Sequence, residues 1–481
     1  MNQLQPDGLS RASAKSETIS QTLARFVAQC DLGKIPQDVV DRGKLYALDT
    51  LVVALAGANM RSSQIMAGVV EKLGGNPSCS IIGWPIRTSP ALAALANGTI
   101  SHAVELDDDH RTSVLHPGTV VVPAALAMAE HLGASGKIFL EGVIAGYEVM
   151  TRIGDAFLGQ QYYEGFHSTG TCGVFGAAAA AGHILGLDEQ KLVTALGIAG
   201  TQAAGLGEWA TDGSWIKRLH PGKSAEAGIL AVLLADSGFT GPSTIIEGNQ
   251  GFLKAFSYNR TWDAETILAG LGKAYRGHAT SFKPYACCRF SHQVVDAALA
   301  AITKHNIRPE NVSDVVVRIH TTAYEKLFKP KERRYRPQTV VDAQFSIPYI
   351  IATSILHGSP MPQHFTDESV RDVKTLAMAA RIKGVPDDEY EKQYPLRYPT
   401  MVTFRLNDGH EHSEYADLPS GDPEHPRYQQ NPALYEAEVL AKARTLLRST
   451  GHSARTEDII ACGKRLDELP DLSKLVLLLT P

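Results

Sequence analysis

Apolar residues recur at helical spacing over the first half of the chain, from Thr18 to about Gly270. Thr18 carries an N-cap signal, and the mostly apolar run Leu45–Gly57 closes on a glycine, as many helices do. Alanine and glycine dominate these segments, and such small residues let helices pack closely. The pattern predicts a compact, mostly buried helical domain, with further helices at Ile138–Ile153, Gly176–Leu187 and Ala225–Leu234.

The pattern changes after Gly272. Val312–His320 is rich in β-branched residues and alternates in polarity, which is typical of a strand. Met401–Tyr415 predicts a β-hairpin that turns at Asn407-Asp408-Gly409. The helical stretches Val341–Leu356 and Asp367–Ala379 lie between these strands. This part of the chain therefore predicts a small α+β unit.

Helical spacing returns at Asn431–Ser449 and Thr456–Leu479. The predicted fold class is therefore mainly α, with a large discontinuous all-helical domain and a smaller α+β domain inserted into it. The predicted bounds are 1–271 and 419–481 for the helical domain and 272–418 for the insert. A chain of 481 residues is too long for one ordinary core, which agrees with two domains.

Composition excludes several classes of protein. The net charge of −5 does not favour binding to nucleic acid or to a membrane surface. No stretch approaches the roughly 18 consecutive apolar residues of a membrane helix. Residues 1–17 are polar, lack the apolar core of a signal peptide and are interpreted as a frayed tail. The six cysteines form no CxxC pair and no disulfide framework, so we expect a cytoplasmic protein.

The densest polar segment, Glu105–Gly118, lies between two apolar flanks. It holds four carboxylates and two imidazoles, and a polar loop between buried helices is a candidate site. A divalent metal bound by His110 and Asp107 to Asp109 is one hypothesis. Consecutive carboxylates rarely all face one ion, so we predict no metal.

Three other segments carry basic side chains among small or apolar residues. His167 precedes a glycine-rich helix start, Lys217 lies in Trp215–Gly228, and Lys283 follows the predicted domain junction. A simple helix cap and a solvated basic turn are the alternative interpretations of the first two segments. Together with the acidic loop, lysines and histidines of this kind suit a site for a small polycarboxylate. Neither a dinucleotide-binding GxGxxG after a strand nor a phosphate-binding GxxxxGK[ST] occurs, so we predict no cofactor.

Five ordered motifs resemble the MmgE/PrpD family, which includes 2-methylcitrate dehydratase, cis-aconitate decarboxylase and iminodisuccinate epimerase. The resemblance covers nearly the whole chain from Thr18 onward. The motifs are Ala96-Asn-Gly…His102, Glu105-Leu-Asp-Asp…His116-Pro, Gly165-Phe-His, Ile216-Lys-Arg-Leu-His-Pro-Gly and Phe282-Lys-Pro-Tyr-Ala-Cys-Cys with His292. The resemblance implies a helical domain with an α+β lid domain, a homodimer, and site residues at Glu105, His116, His167, Lys217, Lys283 and Tyr324.

The chain departs from some members of this family at two places. Asp109-His110 stands where the mammalian decarboxylase and the methylcitrate dehydratases have Thr-Trp. Cys288 stands where the mammalian decarboxylase has a histidine. The fungal decarboxylase resembles this chain in the Glu-Leu-Asp-Asp and Tyr-Ala-Cys-Cys motifs and in the spacing to His116. Family membership is therefore better supported than any one reaction.

The resulting prediction is a cofactor-free lyase, a dehydratase or decarboxylase, that acts on a di- or tricarboxylate such as methylcitrate, citrate or cis-aconitate. We assign catalysis to His116, Lys217, His167 and Tyr324, and substrate binding to Glu105, Asp109, Lys283 and Cys288. The expected partners are this small substrate and a second copy of the chain, without nucleic acid or membrane. An epimerase of a dicarboxylate such as iminodisuccinate is the alternative, and a non-catalytic binding protein is a weaker one.

Overall fold

The computed structural model describes residues 17–257 and 262–481. Most of the predicted frayed tail, residues 1–16, therefore lies outside the described residues. The described chain is mostly helical, as predicted. Its α-helices are α1 (Ile19–Ala28), α2 (Gln37–Gly57), α3 (Arg61–Leu73), α4 (Pro90–Ser101), α5 (Gly118–Leu132), α6 (Gly136–Asp155), α7 (Gln160–Tyr163), α8 (Ser168–Leu185), α9 (Glu189–Gly200), α10 (Trp209–Asp212), α11 (Ile216–Asp236), α12 (Phe252–Phe256), α13 (Ala264–Leu268), α14 (His292–His305), α15 (Thr321–Leu327), α16 (Lys331–Arg334), α17 (Val340–Gln344), α18 (Ile347–His357), α19 (Val373–Ala379), α20 (Asp388–Glu391), α21 (Pro426–Gln430), α22 (Ala433–Ser449), α23 (Thr456–Lys464) and α24 (Ser473–Leu479).

The strands are short apart from one sheet in the C-terminal half. They are β1 (Cys79–Ser80), β2 (Arg87–Thr88), β3 (Asp109–His110), β4 (Thr280–Ser281), β5 (Val312–His320), β6 (Ile382–Asp387), β7 (Thr400–Leu406) and β8 (Glu411–Ala416). The sheet has the order β6-β5-β7-β8, with β5 and β6 parallel and the other pairs antiparallel. This confirms the predicted strand and hairpin. The sequence analysis missed β6, because Gly384 and Pro386 inside it are residues that usually interrupt strands.

Helices α4, α5, α6, α8 and α11 pack on one another to form the helical core. The crossing of α4 and α11 depends on two glycines. A Cβ on Gly98 would lie 2.7 Å from the Cα of Gly222, and one on Gly222 would lie 2.2 Å from the Leu95 carbonyl oxygen. Because any side chain at either position would force the helices apart, this contact places the start of α11 beside the end of α4.

Two helices begin about two turns before the helical stretches Gly176–Leu187 and Ala225–Leu234, and the first of them begins directly after His167, as its glycine-rich helix start predicted. Helix α8 begins at Ser168 rather than Gly176, and α11 begins at Ile216 rather than Ala225. Glycines in the first segment and Pro221 in the second weaken the helical pattern at these positions. Pro221 lies within α11 near its start, where it removes one hydrogen bond to the Lys217 carbonyl without ending the helix. As a result, Lys217 is on a helix rather than in a loop.

The C-terminal helices return to the helical core, because α22 and α23 pack against α2. Lys442 on α22 lies 2.7 Å from Asp49 and donates to the Leu106 carbonyl at 2.7 Å. The predicted helical stretch Thr456–Leu479 consists of the two helices α23 and α24, and the chain between them contains Pro470. This packing agrees with a helical domain formed by two separate parts of the chain. The exact domain bounds stay a prediction.

A two-residue strand pair joins the two halves of the chain at the acidic segment. In it, Asp109 of β3 pairs with Ser281 of β4, and His110 pairs with Thr280. This antiparallel contact brings Lys283, two residues beyond β4, next to the loop that contains Glu105. Across the residues described, helices long and apolar enough to cross a membrane are absent.

Candidate active site

The acidic loop runs from the end of α4 to the start of α5 and is held in an unusual backbone conformation. Glu105 has φ 54° and Val114 has φ 52°, both in the left-handed region that side-chain-bearing residues rarely adopt. A β-branched residue is especially disfavoured there, and such outliers cluster at functional sites. Glu105 is buried, and Val114 lines an internal cavity.

Two buried lysines converge on the carboxylate of Glu105. The Lys217 Nζ lies 2.8 Å from both carboxylate oxygens, and the Lys283 Nζ lies 3.3 Å from Oε1. Burial alone would raise the pKa of Glu105, but the two ammonium groups outweigh burial and hold this pKa well below its ordinary value. Burial lowers the pKa of Lys283, but Glu105 and Asp107 outweigh it and raise this pKa. The result is a buried subsite in which two cations hold one carboxylate.

His102, which we did not assign to the site, connects this subsite to Asp107. Its Nδ1 lies 2.9 Å from the Asp107 carboxylate, and its Nε2 lies 2.8 Å from the Lys217 Nζ. Because the carboxylate only accepts and the ammonium only donates, Nδ1 carries the proton and Nε2 accepts from Lys217. The sequence signal was the position of His102 directly after an apolar helix and five residues before Asp107.

His116 is held in one tautomer. Its Nδ1 lies 2.7 Å from the Asp108 carbonyl oxygen, which can only accept, so Nδ1 carries the proton and Nε2 has a free lone pair. Burial, and after it the charge of Lys283, lower the pKa of His116 well below its ordinary value. Asp107, 3.3 Å from Nδ1, opposes this shift. His116 is therefore a neutral imidazole with an unprotonated Nε2 and suits the role of a general base.

His167 immediately precedes α8 and is almost fully buried. Its Nδ1 lies 3.0 Å from Nδ1 of His220, and its Nε2 has no hydrogen-bond partner within the described part of the chain. Burial and the charge of Lys217 lower the pKa of His167 well below its ordinary value. The rings of His102, His116 and His167 have centroids 4.9–6.2 Å apart, so three neutral imidazoles meet at one point.

These groups surround a small, mostly buried cavity of about 30 Å³. Its walls are Glu105, Asp109, Val114, His116, Tyr162, His167, Lys217, Cys288, Arg289, Phe290 and Phe345. Cys288 thus faces the cavity, and burial raises the pKa of its thiol to about 11. Cys287 is turned away and accepts a hydrogen bond from Ser291. The apolar wall formed by the aromatic residues Tyr162, Phe290 and Phe345 was not predicted, because they lie on three separate segments.

The structure brings together seven of the eight predicted site residues and leaves Tyr324 apart from them. Six line the cavity, and Lys283 is fully buried against Glu105. Tyr324 stacks on Phe328 and lies under Lys329, and it is not among the residues that line this cavity. Lys326 from the same helix comes closer, since its Nζ lies 4.3 Å from the ring centre of Tyr162.

Two residues of the acidic loop turn away from the cavity. The Asp108 carboxylate accepts from Tyr147 at 2.6 Å and from the Gly118 amide at 3.0 Å. His110 contacts Ser113 at 2.6 Å and the Arg276 carbonyl oxygen at 3.1 Å. The hypothesis that Asp107 to Asp109 and His110 share one metal is not supported, because these side chains point to different partners.

The imidazoles of His102, His116 and His167 form a second possible ligand set, with nitrogen atoms within 4.8 Å of one another. A metal there would need the Nε2 lone pair of His102. That lone pair faces the Lys217 ammonium at 2.8 Å, so a divalent cation would meet a positive charge at its own position. The His102 nitrogen is thus already used to accept a hydrogen bond from Lys217. We therefore do not identify the three histidines as metal ligands.

Comparisons with known proteins agree with this description. The MmgE/PrpD N-terminal domain matches residues 21–265, and the MmgE/PrpD C-terminal domain matches residues 285–468. A cis-aconitate decarboxylase of Aspergillus terreus is 28% identical over 97% of each chain. The cis-aconitate decarboxylase of Homo sapiens is 26% identical over 96% of this chain and 95% of its own, and that of Mus musculus is 26% identical over 96% and 93%. The predicted family and enzyme class are thereby confirmed: the chain is a lyase that belongs to the MmgE/PrpD family.

Proposed function

We propose that the protein is a cofactor-free decarboxylase of a small tricarboxylate, with cis-aconitate as the first candidate substrate. Relatives that match nearly the full length of the chain are cis-aconitate decarboxylases. The buried residues described above suit this reaction without a bound cofactor. Dehydration of a related hydroxy acid is the alternative reaction within the lyase class.

The observation that carries this proposal is the pair of ammonium groups around Glu105. Lys217 and Lys283 already hold one carboxylate at 2.8 and 3.3 Å in a buried setting. A substrate carboxylate meets the same two cations and displaces Glu105 or shares them with it. Electrostatic interactions are strong in such a dry environment, so the lysines favour a substrate that carries several negative charges.

Decarboxylation breaks the bond between a carbon and its carboxylate, and CO₂ leaves without the bonding electrons. The electron pair stays on the substrate and spreads into the neighbouring conjugated carboxylate, where Lys217 and Lys283 stabilise the added charge. One proton then forms the new C–H bond. His167 is the group that donates this proton, because its Nε2 has no hydrogen-bond partner among the described residues and its ring faces the cavity. His116 faces the same cavity with an unprotonated Nε2 and acts there as the base.

The cavity is too small for the proposed substrate in the arrangement described. Its 30 Å³ leaves room for only a few water molecules, since one water needs about 10–15 Å³ of such volume. Val114 and Tyr162 come from the helical part, whereas Phe290 and Phe345 come from the predicted insert. We therefore expect the two parts to separate when substrate enters.

The test is a panel of acids, followed by proton NMR in D₂O. Decarboxylation of cis-aconitate gives a product one carbon shorter that carries one deuterium. Exchange of deuterium into a substrate that otherwise keeps its mass would instead favour the epimerase alternative. An alkene formed from citrate or methylcitrate would identify a dehydratase, and a protein that turns over none of these acids would contradict the proposal.

Lys217→Ala is the decisive variant, and we expect it to lose about 10²-fold or more of the activity because the substrate charge loses one of its two cations. Lys223→Ala is the matched control. Lys223 lies on the same helix, is exposed and pairs with Glu226, so its loss leaves the site intact. Equal rates in the two variants would contradict the assignment of Lys217.

We also propose that the enzyme needs no metal, is cytoplasmic and forms a homodimer. All six cysteines are buried free thiols, which suits a reducing compartment. Full activity in the presence of a chelator and a dimer mass in light scattering are the expected results. The role of Tyr324 stays a prediction, which Tyr324→Phe tests directly.

A further inference from the structure

His167 and His220 form a continuous pair between the cavity and the protein surface. Their Nδ1 atoms lie 3.0 Å apart, so one ring donates to the other. His167 faces the cavity with its unpartnered Nε2, whereas His220 is only half-buried. The main chain fixes the pair, because the His167 amide donates to the Gly205 carbonyl and a Cβ on Gly205 would lie 3.4 Å from His220 Nδ1.

The outer end of the pair opens into a surface cleft of about 490 Å³. The cleft lies between α11 and the segment before it, and His220 forms part of its wall. Leu206 and Ile216 at its edge are 62% and 44% exposed, so water reaches the cleft from outside. The inner cavity is separate from this cleft, and the two histidines bridge them.

The proposed reaction needs such a connection. Decarboxylation consumes one proton in each turnover, and the small cavity among buried side chains leaves little room for water beside a substrate. We propose that His220 is a proton relay that carries protons from the cleft to His167. The need for a proton rests on the proposed function, whereas the path through the two histidines rests on the geometry alone.

One turnover moves one proton through the pair. His167 gives its Nε2 proton to the substrate carbon that has just lost CO₂, and its Nδ1 takes the proton of His220 Nδ1. His220 Nε2 then takes a proton from water in the cleft, so no charge accumulates on either ring. While the site is open for product release, each ring exchanges protons with solvent: His167 loses its Nδ1 proton and gains one at Nε2, and His220 does the opposite. This restores the first tautomers, and no net proton flows back through the pair.

The other imidazoles of the site lack an equivalent path. His116 donates its Nδ1 proton to the Asp108 carbonyl oxygen, which cannot pass a proton on. His102 lies between Asp107 and Lys217 and is fully buried. Of the three histidines that meet at the site, His167 alone contacts a further imidazole in the described part of the chain.

The charged groups around His220 are compatible with a neutral relay. Glu208 and Lys223 line the cleft, and Lys217 and His102 lie on the inner side. Burial, with smaller contributions from His102 and Lys217, lowers the pKa of His220 to about 4. Both rings are thus neutral near pH 7, as a concerted transfer requires.

The kinetic test uses His220→Asn and His220→Ala in the full-length enzyme. Asparagine can keep a hydrogen bond to His167 but cannot relay a proton, so we expect kcat to fall tenfold or more (about 10²-fold is typical of proton-transfer groups), with KM within about twofold. Added imidazole enters the cleft of His220→Ala and restores kcat. Lys223→Ala, in the same cleft wall, keeps the wild-type kcat and does not respond to imidazole.

A second measurement does not depend on the substrate. In protein labelled with ¹⁵N-histidine, NMR gives the rate at which the His167 ring proton exchanges with solvent. We expect His220→Asn to slow this exchange about tenfold or more. Wild-type exchange and wild-type kcat in His220→Asn would overturn the relay. A wild-type enzyme inactive on cis-aconitate would contradict the proposed function instead, and the exchange rate would still decide the relay.

Discussion

The acidic loop has a cavity side and a scaffold side, and the two differ in the charge of their partners. On the cavity side, Glu105 faces two lysines and Asp107 faces two imidazoles. On the scaffold side, the Asp108 carboxylate accepts from a tyrosine hydroxyl and a backbone amide, its hydrogen-bond partners within the described residues. These carboxylates are near neighbours in sequence and almost equally buried.

The partners decide which carboxylate stays ionised. Cations lower the pKa of Glu105 well below its ordinary value even though burial opposes them. Asp108 has no cation in contact, so burial raises its pKa to about 8 despite the hydrogen bond from Tyr147. Glu105 therefore contributes charge to the cavity and Asp108 a nearly neutral anchor to the scaffold, and residue type alone does not tell the two roles apart.

Glu105→Gln tests the cavity side and has the largest expected effect on stability. The glutamine keeps the shape of the side chain but leaves Lys217 and Lys283 buried without a counter-ion. Removing one partner of a buried ion pair costs about 3–5 kcal/mol, so we expect the free energy of unfolding to fall by about this amount. The urea midpoint at pH 7, read by circular dichroism, measures it.

Asp108→Asn is the matched control for this comparison. It removes a carboxylate of the same loop whose partners are neutral, and we expect a loss of about 1 kcal/mol. If both variants lost the same free energy of unfolding, the two lysines would not be what distinguishes the cavity side from the scaffold side.

His116→Asn sharpens the comparison through activity. His116 presents a free Nε2 to the cavity, whereas His110 is tied to Ser113 and the Arg276 carbonyl on the scaffold side. We expect kcat to fall about 10²-fold in His116→Asn, as for other acid–base groups. His110→Asn should keep kcat within a few-fold. We would measure initial rates at saturating substrate for variants whose circular dichroism is native. A larger loss of kcat in His110→Asn than in His116→Asn would refute the assignment.

The fold class was predictable because long periodic segments carry it. Helix α2, strand β5 and the hairpin at Gly409 each have a strong local pattern, and the structure confirms them. The start of α11, and the full length of α8 before Gly176, had a weaker local pattern. Glycines and Pro221 that usually interrupt helices are tolerated there, because close contacts such as that between Gly98 and Gly222 require small residues.

The sequence predicted those parts of the candidate site in which charged residues are clustered along the chain. It predicted less well the parts that form only through tertiary contacts. The basic segments with Lys217 and Lys283 were visible among apolar neighbours. The pairing of β3 with β4, which brings Lys283 to Glu105, involves two residues on each strand and has no periodic signal. His220 and Tyr162 reach the site through contacts with segments that are distant in sequence. Their positions relative to the site are therefore visible only in the structure.

The pH dependence of stability is the finest test of the scaffold side. An ordinary aspartate has a pKa near 4, whereas that of Asp108 is about 8, so between these values the folded protein binds a proton that the unfolded chain has lost. Because the folded state binds more protons, the free energy of unfolding falls as pH rises, by about 1 kcal/mol between pH 6 and pH 7 from this group. Asp108→Asn lacks the group, so its stability relative to the wild type should improve by this amount over the same interval. Urea midpoints of both proteins at the two pH values isolate the effect, since all other titrating groups are shared. A constant difference between the two proteins would mean that Asp108 is already ionised and that the two sides of the loop do not differ in charge.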